Sequence, residues 1–181
     1  MSQAESQRIL GIDPGSRATG YGVITKKANK LYYVTCGVIR LGNKYAFNDR
    51  LKVIFDGLCE VIETHKPTVA GVEDVFVAAN PRTALKLGHA RGAAVLAALQ
   101  NGLRVYDYTP RMVKQAVVGY GNADKEQVQQ MVRVLLQLSK APSADAADAL
   151  AVAMCHANQT IIDGEILKNR KFEKLKTENL W

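Results

Sequence analysis

Ile9-Leu10-Gly11-Ile12-Asp13-Pro14-Gly15 is the stretch that decides how this chain folds. Four apolar residues run straight into an acid, and Pro14-Gly15 stops them. A short continuous apolar run between breakers is the pattern of a strand buried on both faces. The pattern recurs at Val69-Ala70-Gly71-Val72-Glu73, again ending on a carboxylate. Two buried strands that each deliver an acid at the carboxyl end imply a sheet with a site at that end, because open α/β sheets gather their sites there.

The segments around these two strands predict the rest. Residues 19–25 and 31–39 are β-rich, and Lys26-Lys-Ala-Asn-Lys30 reads as the turn between them, so the chain opens as an antiparallel meander. The period then changes. Phe47, Leu51, Ile54, Leu58 and Val61 recur at spacings of four and three, a helix ending near Lys66-Pro67. A second helix starts at Pro81 with Asn80 as its cap and runs to the Gln100-Asn101-Gly102 stop. Residues 103–108 read as a strand, and Thr109-Pro110 opens a short helix through Val117, broken by Gly119-Tyr-Gly-Asn122. Val128, Met131, Val132, Leu135 and Leu138 mark another helix, and Ser143 caps a last one through about Asn158. The order β-β-β-α-β-α-β-α-α-α is α/β, with a mixed five-stranded sheet and helices on both faces. Residues 1–160 are read as one domain and 161–181, with Lys168, Arg170, Lys171, Lys174 and Lys176, as a basic, disordered tail.

Two more acids stand out. Asp145 and Asp148 lie three apart in the small, apolar stretch Ser143-Ala-Asp-Ala-Ala-Asp-Ala-Leu150, so they share one face of the last helix. Each acid has a plain explanation when taken singly. Asp145 and Asp148 are helix-start acids favoured by the dipole, Asp13 closes a turn with Pro14-Gly15, and Glu73 pairs with a nearby base. Four separate explanations are a poorer account than one, because buried carboxylates lose hydration and repel unless something positive compensates. Two divalent cations would do so, one activating a water and the other stabilising a leaving oxygen. An all-oxygen donor set suits Mg²⁺, with Mn²⁺ able to substitute, and His65, His89 and His156 are too scattered to hold a softer metal. Cys155 and His156 point about 100° apart on a helix, and are read as core and surface. Asp74 should face away from Glu73 and is left out of the cluster.

Composition bounds the rest. The 181 residues carry a formal net charge of +7, which favours a polyanionic partner. Between Phe76 and Lys125, seven bases (Arg82, Lys86, Arg91, Arg104, Arg111, Lys114, Lys125) stand against two acids (Asp107, Asp124), leaving +5. Three widely spaced cysteines form no Cys-x-x-Cys pair and are read as reduced thiols of a cytoplasmic protein. No apolar run approaches membrane-spanning length, and the first eight residues lack a signal core.

Residues 8 to about 158 resemble the RuvC family of Holliday-junction resolvases. The likeness rests on five ordered blocks: Gly11-Ile-Asp-Pro-Gly-Ser-Arg-Ala-Thr-Gly-Tyr-Gly22, Val72-Glu-Asp-Val-Phe76, Ala84-Leu-Lys-Leu-Gly-His-Ala-Arg-Gly92, Val113-Lys-Gln-Ala-Val-Val-Gly119 and Asp145-Ala-Ala-Asp-Ala-Leu150. The resemblance implies an RNase H-like fold, a homodimer, a branch-migration helicase partner of the RuvA and RuvB type, and paired, Mg²⁺-dependent nicking of four-way DNA junctions that leaves 5′-phosphate and 3′-hydroxyl ends. It puts the catalytic, metal-binding carboxylates on Asp13, Glu73, Asp145 and Asp148, two active-site lysines on Lys114 and Lys125, and a junction-stacking aromatic on Phe76. Arg82, Lys86, Arg91 and Arg111 join Phe76, Lys114 and Lys125 as expected DNA contacts, since phosphates are positioned by such bases. The small residues of Gly88-His-Ala-Arg-Gly-Ala-Ala94 permit close approach of the second helix to the sheet or to a second subunit, and this helix is expected to contribute to the dimer interface. Three rivals remain at this stage: an RNase H-like nuclease for RNA or flaps, a non-catalytic junction-binding module, and an ATPase of the actin and sugar-kinase type. The last needs two lobes and a glycine-rich nucleotide loop, neither of which the sequence holds.

Overall fold

The computed structural model describes residues 6–42, 46–74 and 80–159. Phe76 and the expected tail lie outside these residues. The described chain runs β1 (Ser6–Asp13), β2 (Ala18–Lys27), β3 (Lys30–Arg40), α1 (Phe47–His65), β4 (Val69–Glu73), α2 (Pro81–Gln100), β5 (Arg104–Tyr108), α3 (Pro110–Val118), α4 (Lys125–Leu135) and α5 (Ala144–Gln159). The five strands form one mixed sheet in the order β3-β2-β1-β4-β5, with β1–β2–β3 antiparallel and β1, β4 and β5 parallel. This is the sheet and element order expected from the sequence.

Strand parity sorts the core into two layers. Leu10, Ile12, Val23, Ala70 and Val72 face α1 and α2. Ile9, Ile24 and Val69 face the opposite layer, formed by α3, α4 and α5. Helix α5 lies between the sheet and the α3–α4 pair, which is why Ala146, Ala147 and the whole run Ala149–Ala157 are buried. A helix buried all round needs small residues wherever it meets another backbone. The sheet supplies glycines opposite it: a Cβ on Gly11 would stand 2.0 Å from the Ala149 carbonyl oxygen and 2.6 Å from the Ala153 nitrogen.

Local chemistry sets the element ends. Asn80 Oδ1 accepts from Arg82 N at 2.9 Å to start α2, and Thr109 Oγ1 accepts from Met112 N at 3.3 Å to start α3. Lys66, in the left-handed region at φ 49°, ends α1 before Pro67. Two sequence expectations are corrected at element ends. The β2–β3 strands run on through Lys26 and Lys27, leaving only Ala28-Asn29 as the loop, because Ala28 takes a left-handed φ of 50° that closes a two-residue hairpin. Helix α4 buries Val128 and Val132, and Leu136 just beyond it, while Leu135 is exposed. Leu138 follows a turn at Gln137 (φ 54°) and is not helical.

His156 is buried rather than on the surface, because α3 covers the side of α5 left open in a two-layer picture. Its Nδ1 lies 2.6 Å from the Tyr108 hydroxyl. Burial, and then the charge of Lys26, push its pKa down from 6.5 to about 4. The unfolded imidazole gains a proton as pH falls through about 6.5, whereas the folded one does not until about 4. Its contribution to stability is therefore complete above 6.5 and lost across that window, by up to about 3 kcal/mol. Among the described residues no helix is long and apolar enough to cross a membrane.

Two outcomes are expected. Gly11→Ala should destabilise the fold by roughly 1–3 kcal/mol in urea denaturation, since the clash is with backbone that cannot rotate away. Between pH 7 and pH 4, His156→Gln should lose less stability, or gain more, than the wild type, because only the imidazole's part of the change is removed; an equal change in both would remove His156 as a contributor.

Candidate active site

The register of the sheet places the first two acids side by side. Ile12 pairs with Val72 across β1 and β4, so Asp13 and Glu73 follow at equivalent positions on adjacent parallel strands. Both alternate onto the α5 face, because Gly11 meets Ala149 and Ala153 there and Gly71 meets Val152. The other two acids arrive with the start of α5. Asp13 pairs with Gly20 on β2, and a Cβ on Gly20 would sit 2.0 Å from the carbonyl oxygen of Asp145. The absence of a side chain at Gly20 thus lets the first turn of α5 down onto the end of β1, and Asp148 comes one turn later on the same face.

The four carboxylates act on one another electrically. Desolvation, followed by the charge of Asp148, pushes Asp13 up from 3.8 to about 6, and Asp145 adds to the rise. Desolvation, followed by the charge of Asp13, pushes Glu73 up from 4.5 to about 8. A side-chain hydrogen bond joins the two carboxyls, favouring the charged form of Asp13 and the neutral form of Glu73. One of them must donate it, so Glu73 is the acid of the pair and Asp13 the acceptor.

Lys125 is the cation in contact with this group. Its Nζ lies 3.3 Å from Asp148 Oδ2, and the charge of Asp148 above all pushes its pKa up. The Lys125 side chain is 77% exposed, so the pair holds little energy on its own. Sequence reasoning named Lys125 from family resemblance and basic charge, and missed its partner. The signal was present: Asp124 and Gln127 form a reciprocal capping box, with bonds of 2.8 and 3.0 Å, which fixes Lys125 as the first residue of α4.

The remaining expected residues divide. Lys114 is half-buried on α3 and makes no ion pair among the described residues. Arg82 and Arg111 are exposed at the starts of α2 and α3. Lys86 is exposed on α2 with its Nζ 5.8 Å over the Phe47 ring. Arg91 is committed elsewhere: it donates to Asp107 Oδ1 at 2.6 Å, and its Nε lies 3.7 Å from Asp74 Oδ1. Its charge is already matched, and Asp74 is accounted for outside the cluster. Phe76 lies outside the described residues.

Among the described residues no three of these groups stand close enough to grip one ion as they are. The donor chemistry nevertheless fits hard divalent cations. All four groups are oxygen donors, they lie at one end of the sheet, and burial followed by the charge of Asp13 makes Glu73 hold a proton that a facing cation would displace.

Residues 9–156 match the family profile described as crossover junction endodeoxyribonuclease RuvC. The protein of that name from Geobacter metallireducens is 59% identical over 151 residues, covering 83% of this chain and 92% of its own. That from Cupriavidus metallidurans is 56% identical over 151 residues, covering 83% of each chain. The solved structure of Thermus thermophilus RuvC in complex with a Holliday junction substrate superposes with a TM-score of 0.80 at 37% identity, covering 86% of this chain and 96% of that one. The yeast mitochondrial Holliday junction resolvase Ydc2, at 13% identity and a TM-score of 0.60 over 90% of this chain and 85% of that one, shares the fold.

Asp13→Asn removes one of the mutually repelling charges. Without divalent ions this variant is expected to be more stable than the wild type by on the order of 1–3 kcal/mol, and so to unfold at a higher temperature. Mg²⁺ should raise the midpoint of the wild type more than that of the variant. Calorimetry with EDTA and with Mg²⁺ tests both, and a variant less stable than wild type in EDTA would contradict the electrostatics.

Proposed function

This chain belongs to the RuvC family of crossover junction endodeoxyribonucleases, and from that premise we propose that it resolves four-way (Holliday) DNA junctions by paired, symmetric cuts that leave 5′-phosphate and 3′-hydroxyl ends. The observation that carries the reading is the convergence of Asp13 and Glu73, at adjacent parallel strand ends, with the start of α5 that bears Asp145 and Asp148. The family is one of divalent-metal nucleases. Here Asp13, Glu73, Asp145 and Asp148 would hold two Mg²⁺ ions per site, with Mn²⁺ able to substitute, and the bound metal supplies an activated water and charge stabilisation at the leaving oxygen.

The chain's own residues do the rest. Glu73 gives up its proton as the site is loaded, because a facing positive charge reverses the repulsion that raised its pKa. Lys125 neutralises Asp148 and stands ready to exchange that partner for a phosphate. Lys114 neutralises charge that builds up on the cut phosphate, and Arg82, Lys86 and Arg111 hold phosphates along the arms. Phe76 stacks on a base at the opened junction centre.

Symmetric cutting needs two sites related by a two-fold axis, hence a homodimer. Helix α2 offers the surface for it. Leu85, Leu96 and Leu99 are 65%, 55% and 53% exposed, and nothing lies within 4 Å of a Cβ placed on Gly88 or Gly92. A branch-migration helicase of the RuvA and RuvB type is the further partner that the family likeness proposes.

Four-way, three-way, flap and RNA–DNA hybrid substrates compared at matched salt test the reading. The four-way junction is expected to be cut in preference, with Mg²⁺ or Mn²⁺ required. Asp13→Asn should lose at least about two orders of magnitude in cleavage while still binding the junction. Wild-type nicking by that variant would refute the carboxylate assignment. Preference for the flap or hybrid would favour an RNA or flap nuclease instead.

A further inference from the structure

The segment between Asp13 and Asp49 contains six bases, Arg17, Lys26, Lys27, Lys30, Arg40 and Lys44, and no acid. Family resemblance draws attention to the bases after Phe76, yet this segment carries +6 of the chain's net +7. The fold splits it. Lys26, Lys27 and Lys30 lie at the hairpin turn, at the end of the sheet away from the acids; Lys26 donates to the Ala157 carbonyl and Lys27 lies over the Tyr32 ring. Arg17 and Arg40 go to the other end. Arg17 sits in the turn between Asp13 and β2, and Arg40 is the last residue of β3.

Their positions relative to the site follow from register. Asp13 pairs with Gly20, Gly20 with Val38, and Ala18 with Arg40. Ala18 and Arg40 therefore alternate onto the same sheet face as Gly20 and Asp13, the face that carries α5. Arg40 lies two strands from Asp13 and two residues further along, a separation of roughly 12 Å between Cα atoms. The Arg17 carbonyl accepts from Leu41 N at 3.0 Å, which continues the β2–β3 register so that Arg17 stands opposite Leu41; Leu41 faces α1 and α2, so the two arginines flank the same end of the sheet from its two faces. Both are exposed, and neither has an ion-pair partner among the described residues. Two cations at one end of the sheet, neither with an ion-pair partner among the described residues, are favourably placed to take up an anion.

We propose that Arg17 and Arg40 form a phosphate-binding bank on the β3 side of the carboxylate cluster, opposite the bank made by Lys114, Lys125 and the bases of α2 and α3. The cut strand then crosses the cluster with its phosphodiesters held on both sides. This rests on the reading of the site as a DNA-cutting centre, and it adds a contact surface to it.

The test uses the full chain, a labelled four-way junction and a linear duplex of the same sequence, with binding measured in EDTA over a range of NaCl. Each of Arg17→Gln and Arg40→Gln is expected to make the slope of log affinity against log salt shallower by about 1, and the double variant by about 2, on both DNAs. Arg104→Gln is the control: it removes the same charge from an exposed residue at the far end of the sheet, and should leave the slope unchanged. Thermal midpoints of the variants should equal or exceed the wild type's, which separates lost contact from lost fold. A double variant with the wild-type slope, or a control that loses as much, overturns the proposal. Wild-type protein that binds junction and duplex equally, or does not nick, overturns the resolvase reading alone, while the slope difference still decides on the arginines. Wild-type protein that binds neither DNA overturns both.

Discussion

Carboxylates brought together where water is scarce repel each other, and the rest of this structure is arranged around holding them there. Desolvation is the first cause of the raised pKa at both Asp13 and Glu73, ahead of any neighbouring charge. The fold thus removes water from these acids before it sets them against each other. A cluster of this kind is unfavourable alone and favourable around divalent cations, the trade of stability for function seen at strained catalytic sites generally. Lys125 offsets only part of the repulsion, through one long, exposed contact to one of the four groups.

What forces the acids together is backbone proximity. Gly11 and Gly20 let α5 approach the sheet until main-chain atoms of Ala149 and Asp145 occupy the space a methyl would fill. The alanines of α5 are the complementary half of the same constraint. Because β1 and β4 are hydrogen-bonded in register and α5 is seated on β1 and β2, the positions of all four acids are fixed by the most buried part of the molecule. Placing reactive groups on the ends of packed elements, rather than along mobile loops, is what holds a catalytic geometry to fractions of an ångström.

The features legible in the sequence were those written in local chemistry. The paired apolar strands ending in Asp13 and Glu73, the Asn80 and Thr109 caps and the i, i+3 spacing of Asp145 and Asp148 each depend on a few adjacent residues. The features missed depend on what lies across space. His156 was placed on the surface because one helix seen alone has an inside and an outside, whereas α5 is covered on both. The ion pairs of Arg91 are equally out of reach of the sequence, because Asp107 and Asp74 are 16 and 17 positions away and meet it only when α2 packs by β5. The charge of the β2–β3 hairpin was countable from the sequence, but its division between two ends of the sheet needed the register.

That division gives the cluster a direction. Bases around an isolated acidic site could hold a phosphodiester in any orientation. Here exposed cations stand at Arg17 and Arg40, on the β2–β3 side of Asp13, and at Lys125, beside Asp148. A polyanion drawn to both must cross the sheet edge from β3 toward β5, and so passes over the ends of β1 and β4, where Asp13 and Glu73 stand. On the proposed reading, bases on the flanks attract a phosphodiester strand while the carboxylates repel it until bound cations offset their charge. Binding and cutting are in this way separable properties of one surface, the first set by the banks and the second by what the carboxylates hold.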